Sequence, residues 1–336
     1  MSDKTVLVTG AAGEMGQLLI PRLTETGHRV VALDLSEIPA ALKPHTARTV
    51  KASVLDGDVL DTVFRDENPQ MVFHLAAILS SKAEKDPLLA HQVNVDGTFQ
   101  LFRLCTRSRR THGRPVRFLF PSSIAVYGFP SRLAKRSVAR VHEHQWTLPI
   151  GMYGCNKLYG EATGNYLSRR AQDGAPLLDF RAIRFPGLVS AATLPSGGTT
   201  DYAPEMIHAA ASGKPYSCFV DADTRLPFMT MPDGVDALLR IAAAEPASLT
   251  QRIYNIGAFS ASAAELRDEC LRHFPDAQIG FASDLRRQSL VDSWPRDVDD
   301  SAARADWGHR TLHGLHGALE DYLVPALRER YRLTGA

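Results

Sequence analysis

A tyrosine and a lysine four residues apart, in Tyr153-Gly154-Cys155-Asn156-Lys157, could do proton chemistry. On a helix this spacing puts both side chains on one face, one turn apart. A free phenol titrates at about 10 and is a poor base at neutral pH. An adjacent ammonium favours the phenolate, so the pair predicts a lowered Tyr153 pKa and a group able to take the proton of an alcohol. A lowering of ~2–3 units corresponds to roughly 3–4 kcal/mol of differential stabilisation.

A second constellation stands at the start of the chain. Gly10-Ala11-Ala12-Gly13-Glu14-Met15-Gly16 lies between the apolar run Val6-Leu7-Val8 and the helical pattern Met15, Leu18, Leu19, Leu23. In a strand–turn–helix setting, one glycine allows the tight turn, the next lets backbone approach a pyrophosphate, and the third lets helix pack on strand. The helix N-terminus then turns its amides toward phosphate. Asp34 closes the next apolar run, His28 to Leu33, at the offset of a carboxylate that hydrogen-bonds an adenine ribose diol. Leu35 and Ser36 follow it rather than an arginine, and its charge would repel a 2′-phosphate, so NAD is expected rather than NADP.

Further apolar runs at Met71–Leu75, Arg117–Phe120 and Leu177–Arg184 alternate with helical patterns, which predicts an α/β fold with a Rossmann-type doubly wound parallel sheet. After Pro186-Gly187 the composition shifts, and residues 191–200 are rich in Gly, Pro, Ser and Thr. The expected division is an NAD-binding domain over residues 1–186, with interleaved later segments, and a smaller C-terminal substrate lobe over 187–336, including Ile253–Ile256 and Ala263–His273.

The 336 residues are 44% hydrophobic and 22% charged, with a formal net charge of +1. No global field attracts nucleic acid or an anionic membrane. Four cysteines without paired spacing argue against disulfides and a zinc ribbon, and fit a reducing cytosol. The apolar run after Thr5 is too short for a secretory leader. His142-Glu143-His144 has no evident third metal ligand and reads as a solvated loop, so no metal is expected. The arginines of Arg103 to Arg117 read as a solvated helix end.

The chain resembles the extended short-chain dehydrogenase/reductase family. Ser122-Ser123-Ile124-Ala125-Val126-Tyr127-Gly128 is similar to the segment bearing its catalytic Ser or Thr, which assigns that role to Ser123; Tyr153 and Lys157 match its Tyr-x-x-x-Lys. By the same resemblance His74-Leu75-Ala76-Ala77 lines the cofactor, with Leu75, Ala76 and Ala77 in contact. Asn94 supports a proton relay, Phe185 belongs to the turn that meets the nicotinamide, and Lys157 also holds the nicotinamide ribose. The family's acidic residue and apolar neighbour after the third strand fall at Ser53-Val54: either Ser53 substitutes with its hydroxyl, or the loop is shifted toward Gly57-Asp58-Val59.

Within that family, Phe185–Ser190, Gly197-Gly198-Thr199-Thr200-Asp201-Tyr202, Asp223–Met229 and Asp292-Ser293-Trp294-Pro295 resemble the short-chain L-threonine 3-dehydrogenases over almost the whole chain. This resemblance implies oxidation of the 3-hydroxyl of L-threonine to 2-amino-3-oxobutanoate with Tyr153 as base. It also implies a substrate site of Ser80, Ser123, Tyr153, Gly187, Thr199 and Thr200, closed by Trp294 and by the loop 196–200, in a cytoplasmic homodimer joined through helices near 88–105 and 153–170. Two rivals share the chemistry: a dehydrogenase of another small hydroxy acid such as a sugar acid, and a nucleotide-sugar 4-epimerase. The epimerase needs cationic partners for a diphosphate, and the C-terminal half offers only scattered arginines, Arg225, Arg286 and Arg287.

Overall fold

The computed structural model describes residues 4–195 and 198–333, and its chain forms two compact units. One comprises the residues up to Ser122, Cys155–Arg184 and Leu238–Tyr254; the other comprises Ser123–Gly154, Phe185–Ala237 and the residues from Asn255 on. The strands of the seven-stranded and three-stranded sheets are, in chain order, β1 (Thr5–Thr9), β2 (Arg29–Asp34), β3 (Arg48–Lys51), β4 (Met71–His74), β5 (Arg117–Ser123), β6 (Asp179–Phe185), β7 (Gly187–Val189), β8 (Arg225–Thr230), β9 (Ile253–Asn255) and β10 (Phe259–Ser262).

The first unit is organised by a seven-stranded sheet in the order β3-β2-β1-β4-β5-β6-β9. Its pairs from β3 through to β5 run parallel, with Val6 opposite both Val30 and Met71. Val6, Leu7, Val8, Val30, Val31, Ala32, Val72 and Phe73 are all buried, the near-continuous apolar run of strands covered on both faces. The strand order reverses between β1 and β4, and the crevice beyond their carboxyl ends is where such sheets bind ligands. This is the Rossmann-type α/β architecture that the alternation of runs predicts. One element departs from expectation: β9, read from sequence among the elements of the C-terminal lobe, forms an edge of the central sheet beside β6.

Helices α1 (Glu14–Glu25), α2 (Gly57–Glu67), α3 (Ser80–Lys85), α4 (Pro87–His91), α5 (Gly97–His112), α6 (Arg132–Ser137), α7 (Met152–Arg169) and α8 (Tyr202–Ala211) carry the residues of interest. Two glycines bring α7 down onto the sheet. A Cβ on Gly160 would lie 2.5 Å from Phe120 Cζ, and one on Gly164 would lie 2.3 Å from Phe180 Cε2. Both rings belong to the buried cluster that includes Phe102 and Phe118, whose ring centroids are 4.8 Å apart.

In the second unit β8 pairs parallel with β7 and antiparallel with β10, placing Phe228 opposite Gly187. Tyr202 of α8 meets Phe228 edge-on at 5.9 Å. His142 and His144 are exposed outside any helix or strand, and Arg103, Arg107, Arg110 and Arg114 are exposed along and just beyond α5, as the sequence reading expects; single members of each stretch are built into the fold. Glu143 is buried and accepts from Asn255 N at 2.9 Å. Arg109 is buried and donates to Gln172 O at 2.7 Å, and Arg117 pairs with Asp179 at 2.8 Å. Among the described residues, no helix is long and apolar enough to cross a membrane.

Candidate active site

The glycine turn is held tightly. Gly10 follows β1 with φ +68°, and a Cβ there would lie 2.5 Å from Ala76 N and 2.8 Å from Leu75 C. The chain can pass only because no side chain is present. Gly16 presses on Ala11 in the same way, at 2.4 Å from its carbonyl oxygen. Gly13 is the N-cap of α1 and caps it with no side chain, so the amides of Glu14, Met15 and Gly16 open the helix toward an anion. Asp34, the last residue of β2, accepts from Ala12 N at 3.0 Å and Ser36 N at 2.8 Å, which fixes its carboxylate beside the turn.

Ser53 and Val54 follow β3. Ser53 Oγ accepts from Leu55 N at 3.1 Å, and Val54 is buried against Gly97. Asp58 lies in the first turn of α2, beyond the N-cap Asp56, so Ser53 and not Asp58 stands at the strand end. His74, at the end of β4, bridges Thr9 Oγ1 at 2.7 Å and Thr98 Oγ1 at 2.9 Å. Complete burial, helped by the Lys157 charge, pushes this imidazole down to about 3. Leu75, Ala76 and Ala77 continue from it along the crevice edge.

Asn94 occupies a π-helical turn, Gln92–Asp96, between α4 and α5. Such single-turn bulges tend to mark functional positions. Its amide accepts from Ile78 N at 2.8 Å and donates to Ile78 O at 2.9 Å and to Asn156 Oδ1 at 3.3 Å. Ser80 begins α3 and is buried. Lys157 is buried on α7, donates to Pro121 O at 2.6 Å and lies 4.6 Å from the Phe120 ring centroid. The ammonium thus reaches the end of β5, two residues before Ser123. Burial pushes it down to about 8, against the opposing pull of Glu161.

The second unit holds the remaining candidates. Ser123 Oγ accepts from Ala125 N at 3.1 Å, the cap of a short 3-10 turn, and keeps its O–H to donate. Tyr153 sits in the first turn of α7. Burial pushes its phenol above the ordinary value, the reverse of the lowering that the Tyr-Lys spacing suggests, because loss of solvent disfavours the phenolate. Phe185 is buried and ends β6; Gly187 opens β7, where a built Cβ would lie 3.4 Å from Thr200 Cβ and 2.7 Å from Phe228. Thr199 is buried and Thr200 half-buried. Asp201 caps its loop rather than its helix, accepting from Gly198 N at 2.6 Å. Ser196 and Gly197, part of the loop expected to close over substrate, lie outside the described residues. Trp294 is buried in this unit.

Three features escaped the sequence reading. Glu161, one turn past Lys157 on α7, is buried; it accepts from Ser122 Oγ at 2.6 Å and is bound through both oxygens by Arg184, at 2.8 and 2.6 Å. Its i+4 spacing from Lys157 was the available signal. Arg225 is not scattered: it lines a cavity of about 270 Å³ with Arg132, Lys135, Arg136, Arg296, Asp223, Thr224 and Asp292. Glu269, His273 and His316 bring metal-type donor atoms within 4.8 Å of one another, where an imidazole on His316 also bridges Glu269 and Glu320.

Residues 6–257 match the NAD dependent epimerase/dehydratase family, and the chain belongs to it. An uncharacterized epimerase/dehydratase of Staphylococcus aureus (strain MRSA252) is 33% identical over 317 residues, 93% of each chain. Among solved structures, a monomeric L-threonine 3-dehydrogenase from a metagenome is 33% identical, with a TM-score of 0.85 over 97% of this chain and 99% of its own. The L-threonine 3-dehydrogenase of Trypanosoma brucei is 32% identical, with a TM-score of 0.84 over 98% of both chains. The protein is therefore an enzyme of an NAD-dependent family, and NAD is its cofactor. The uncapped α1 N-terminus, the side-chain-free turn at Gly10 and the anchored Asp34 carboxylate fit a dinucleotide.

Proposed function

We propose that the chain is an NAD-dependent L-threonine 3-dehydrogenase that oxidises the 3-hydroxyl to give 2-amino-3-oxobutanoate. The observation that carries this reading is likeness to L-threonine 3-dehydrogenases along nearly the whole chain at 32–33% identity. In this reading Gly10, Gly13, Glu14, Met15 and Gly16 hold the pyrophosphate. Asp34 takes the adenine ribose, Ser53 and Val54 the adenine, Leu75, Ala76, Ala77 and Asn94 the crevice wall, and Phe185 the nicotinamide side. Bound NAD supplies the hydride acceptor and a positive ring that favours the nearby phenolate.

Ser123 donates its O–H to the alcohol oxygen and orients it. Tyr153 takes the alcohol proton. Burial works against the phenolate, so the Lys157 ammonium on the next turn and the bound cofactor must together offset it. Ser80, Gly187, Thr199 and Thr200 offer hydroxyls and loop amides to a small zwitterion, and Trp294 excludes water. A homodimer belongs to the same reading. Leu88 on α4, Phe99 on α5, and Tyr159 and Tyr166 on α7 are exposed apolar groups on the helices that would form the interface. Light scattering on the eluted protein tests it, and a monomer mass would refute it.

A second reading, a nucleotide-sugar 4-epimerase, is favoured by one observation: the cavity around Arg225 is lined by five cationic side chains against two carboxylates, Asp223 and Asp292, an excess that suits a diphosphate better than an amino acid, although Arg132, Arg136 and Arg225 are each also paired with a carboxylate. NADH formation across L-threonine, L-serine, 3-hydroxybutyrate and sugar acids, alongside interconversion of UDP-sugars, separates them. L-threonine should exceed 3-hydroxybutyrate by up to ~10⁴-fold in kcat/KM, because a site built to bond the ammonium is left unpaired without it. A faster reaction with 3-hydroxybutyrate or a sugar acid sinks the threonine reading. UDP-sugar turnover without net NADH establishes the second.

A further inference from the structure

We propose that Glu161 is a positioning residue for catalysis: its carboxylate supplies the counter-charge to the Lys157 ammonium and ties together the strand ends that lead into Ser123 and Phe185. This rests on reading Lys157 as a catalytic and ribose-binding group.

The carboxylate is 1% exposed, its hydrogen-bond partners Arg184 and Ser122 are 3% and 2% exposed, and Lys157, one turn earlier on α7, is 5% exposed. Four polar groups in one dry site are costly unless each is satisfied. A buried Arg–Glu pair alone is weak evidence for stability, since apolar residues of the same volume often serve as well. The third charge changes the account. Lys157 lies one helical turn before Glu161, and burial depresses its ammonium toward neutrality while Glu161 resists. Among the described residues, Glu161 is the carboxylate that acts on the Lys157 ammonium. From β5 the ammonium meets Pro121 O and the Phe120 ring. From β4 it meets His74, which burial keeps neutral at any working pH. Arg184 of β6 is positive and bonds Glu161, and Tyr153, one turn earlier on α7, is a phenol whose ionisation burial opposes until the cofactor offsets it. The one-turn spacing on α7 puts the Glu161 carboxylate on the same face as the Lys157 ammonium.

The same side chain has a mechanical role. Ser122 immediately precedes Ser123, and Arg184 immediately precedes Phe185. Oε1 takes Ser122 and the Arg184 Nε, and Oε2 takes the Arg184 Nη2, so α7, β5 and β6 are pinned through one carboxylate. A shift of α7 against β5 would move the lysine from the strand that leads into the serine.

The test is Glu161→Gln, near-isosteric and uncharged, read by NADH affinity from protein fluorescence and by turnover of the best substrate in the panel, both across pH. Lys157 is useful only while protonated. Removing the carboxylate should therefore move the high-pH limb of both curves to lower pH by about one unit, giving an approximately tenfold loss on the alkaline side and near-wild-type behaviour on the acid side. Ser122→Ala keeps the charge and should lower turnover a few-fold with the limb unmoved. If Glu161→Gln does not fold, the Glu161→Gln/Arg184→Gln double variant replaces the ion pair by an amide pair; it removes a positive charge with the negative one, so its limb should move in the same direction by less than one unit. An unmoved limb, or a loss uniform across pH, in either folded variant overturns the proposal. NADH affinity needs no substrate, so a wrong substrate assignment leaves this readout intact. Absence of NADH binding by the wild-type protein would instead overturn the cofactor assignment and this proposal with it.

Discussion

Gly10→Ala is the sharpest perturbation of the nucleotide crevice, and an internal control comes with it. At Gly10 two costs combine. The residue sits at φ +68°, and its Cβ would lie 2.5 Å from Ala76 N, a backbone atom that cannot swing aside. Gly27 carries the first cost without the second: its φ is +81° and nothing lies within 4 Å of a built Cβ. Adopting the left-handed region costs alanine roughly 1 kcal/mol relative to glycine. Forcing backbone apart in a packed region adds about 1–3 kcal/mol. The expected loss is about 2–4 kcal/mol for Gly10→Ala against about 1 for Gly27→Ala, out of a typical ~5–15 kcal/mol. Urea unfolding followed by circular dichroism measures both. Because relief at Gly10 must displace the 75–76 backbone or the turn into α1, NADH affinity should also fall at least about tenfold, roughly 1.4 kcal/mol, while Gly27→Ala binds normally. Equal stability losses for the two variants, or unchanged NADH affinity in Gly10→Ala, would refute the claim that the 75–76 backbone and the glycine turn form one fitted wall.

Tyr153→Phe should lower turnover by about 10²–10⁴ with NADH affinity nearly kept, and turnover close to wild type would dismiss the phenol as base. NAD should be preferred over NADP by at least about tenfold in kcat/KM, with Asp34→Asn narrowing the gap; equal use by the wild-type enzyme would place Asp34 away from the ribose. His74 supplies a pH prediction. Its folded value of about 3 lies below the ordinary 6.5, so the unfolded chain binds a proton that the native one refuses; the His74 contribution is whole above 6.5 and lost as pH falls toward 3. The slope is up to about 1.4 kcal/mol per pH unit. His74→Gln should flatten the decline of urea stability between neutral and mildly acid pH, and parallel declines in the two proteins would argue against a neutral bridge between Thr9 and Thr98.

The central sheet could be read from residues because its signals are local. Val6-Leu7-Val8 before a glycine turn and Met71–Leu75 are short enough to sit inside one element, and buried parallel strands write themselves as apolar runs. The edge strand Ile253–Asn255 could be seen as a strand but not assigned to its sheet, since its neighbour β6 lies some seventy positions earlier and only the folded register pairs them. Polar chemistry was legible in proportion to its periodicity. Tyr153, Lys157 and Glu161 share one helical face, yet the glutamate means little until Arg184 arrives from another strand to bond both its oxygens. The cations around Arg225 illustrate the same limit in the other direction. Arg132 and Lys135 precede it by about ninety residues and Arg296 follows by about seventy, so a linear count finds dispersed charges where the fold gathers five. Burial also reversed one electrostatic inference. The spacing of Tyr153 and Lys157 speaks only of attraction between ammonium and phenolate, whereas the folded protein adds a desolvation cost that lowers the lysine and raises the tyrosine together. Both shifts disfavour the charged pair that the chemistry requires. A third charge beneath the lysine is therefore a condition of the mechanism, and Glu161 is the carboxylate that meets it.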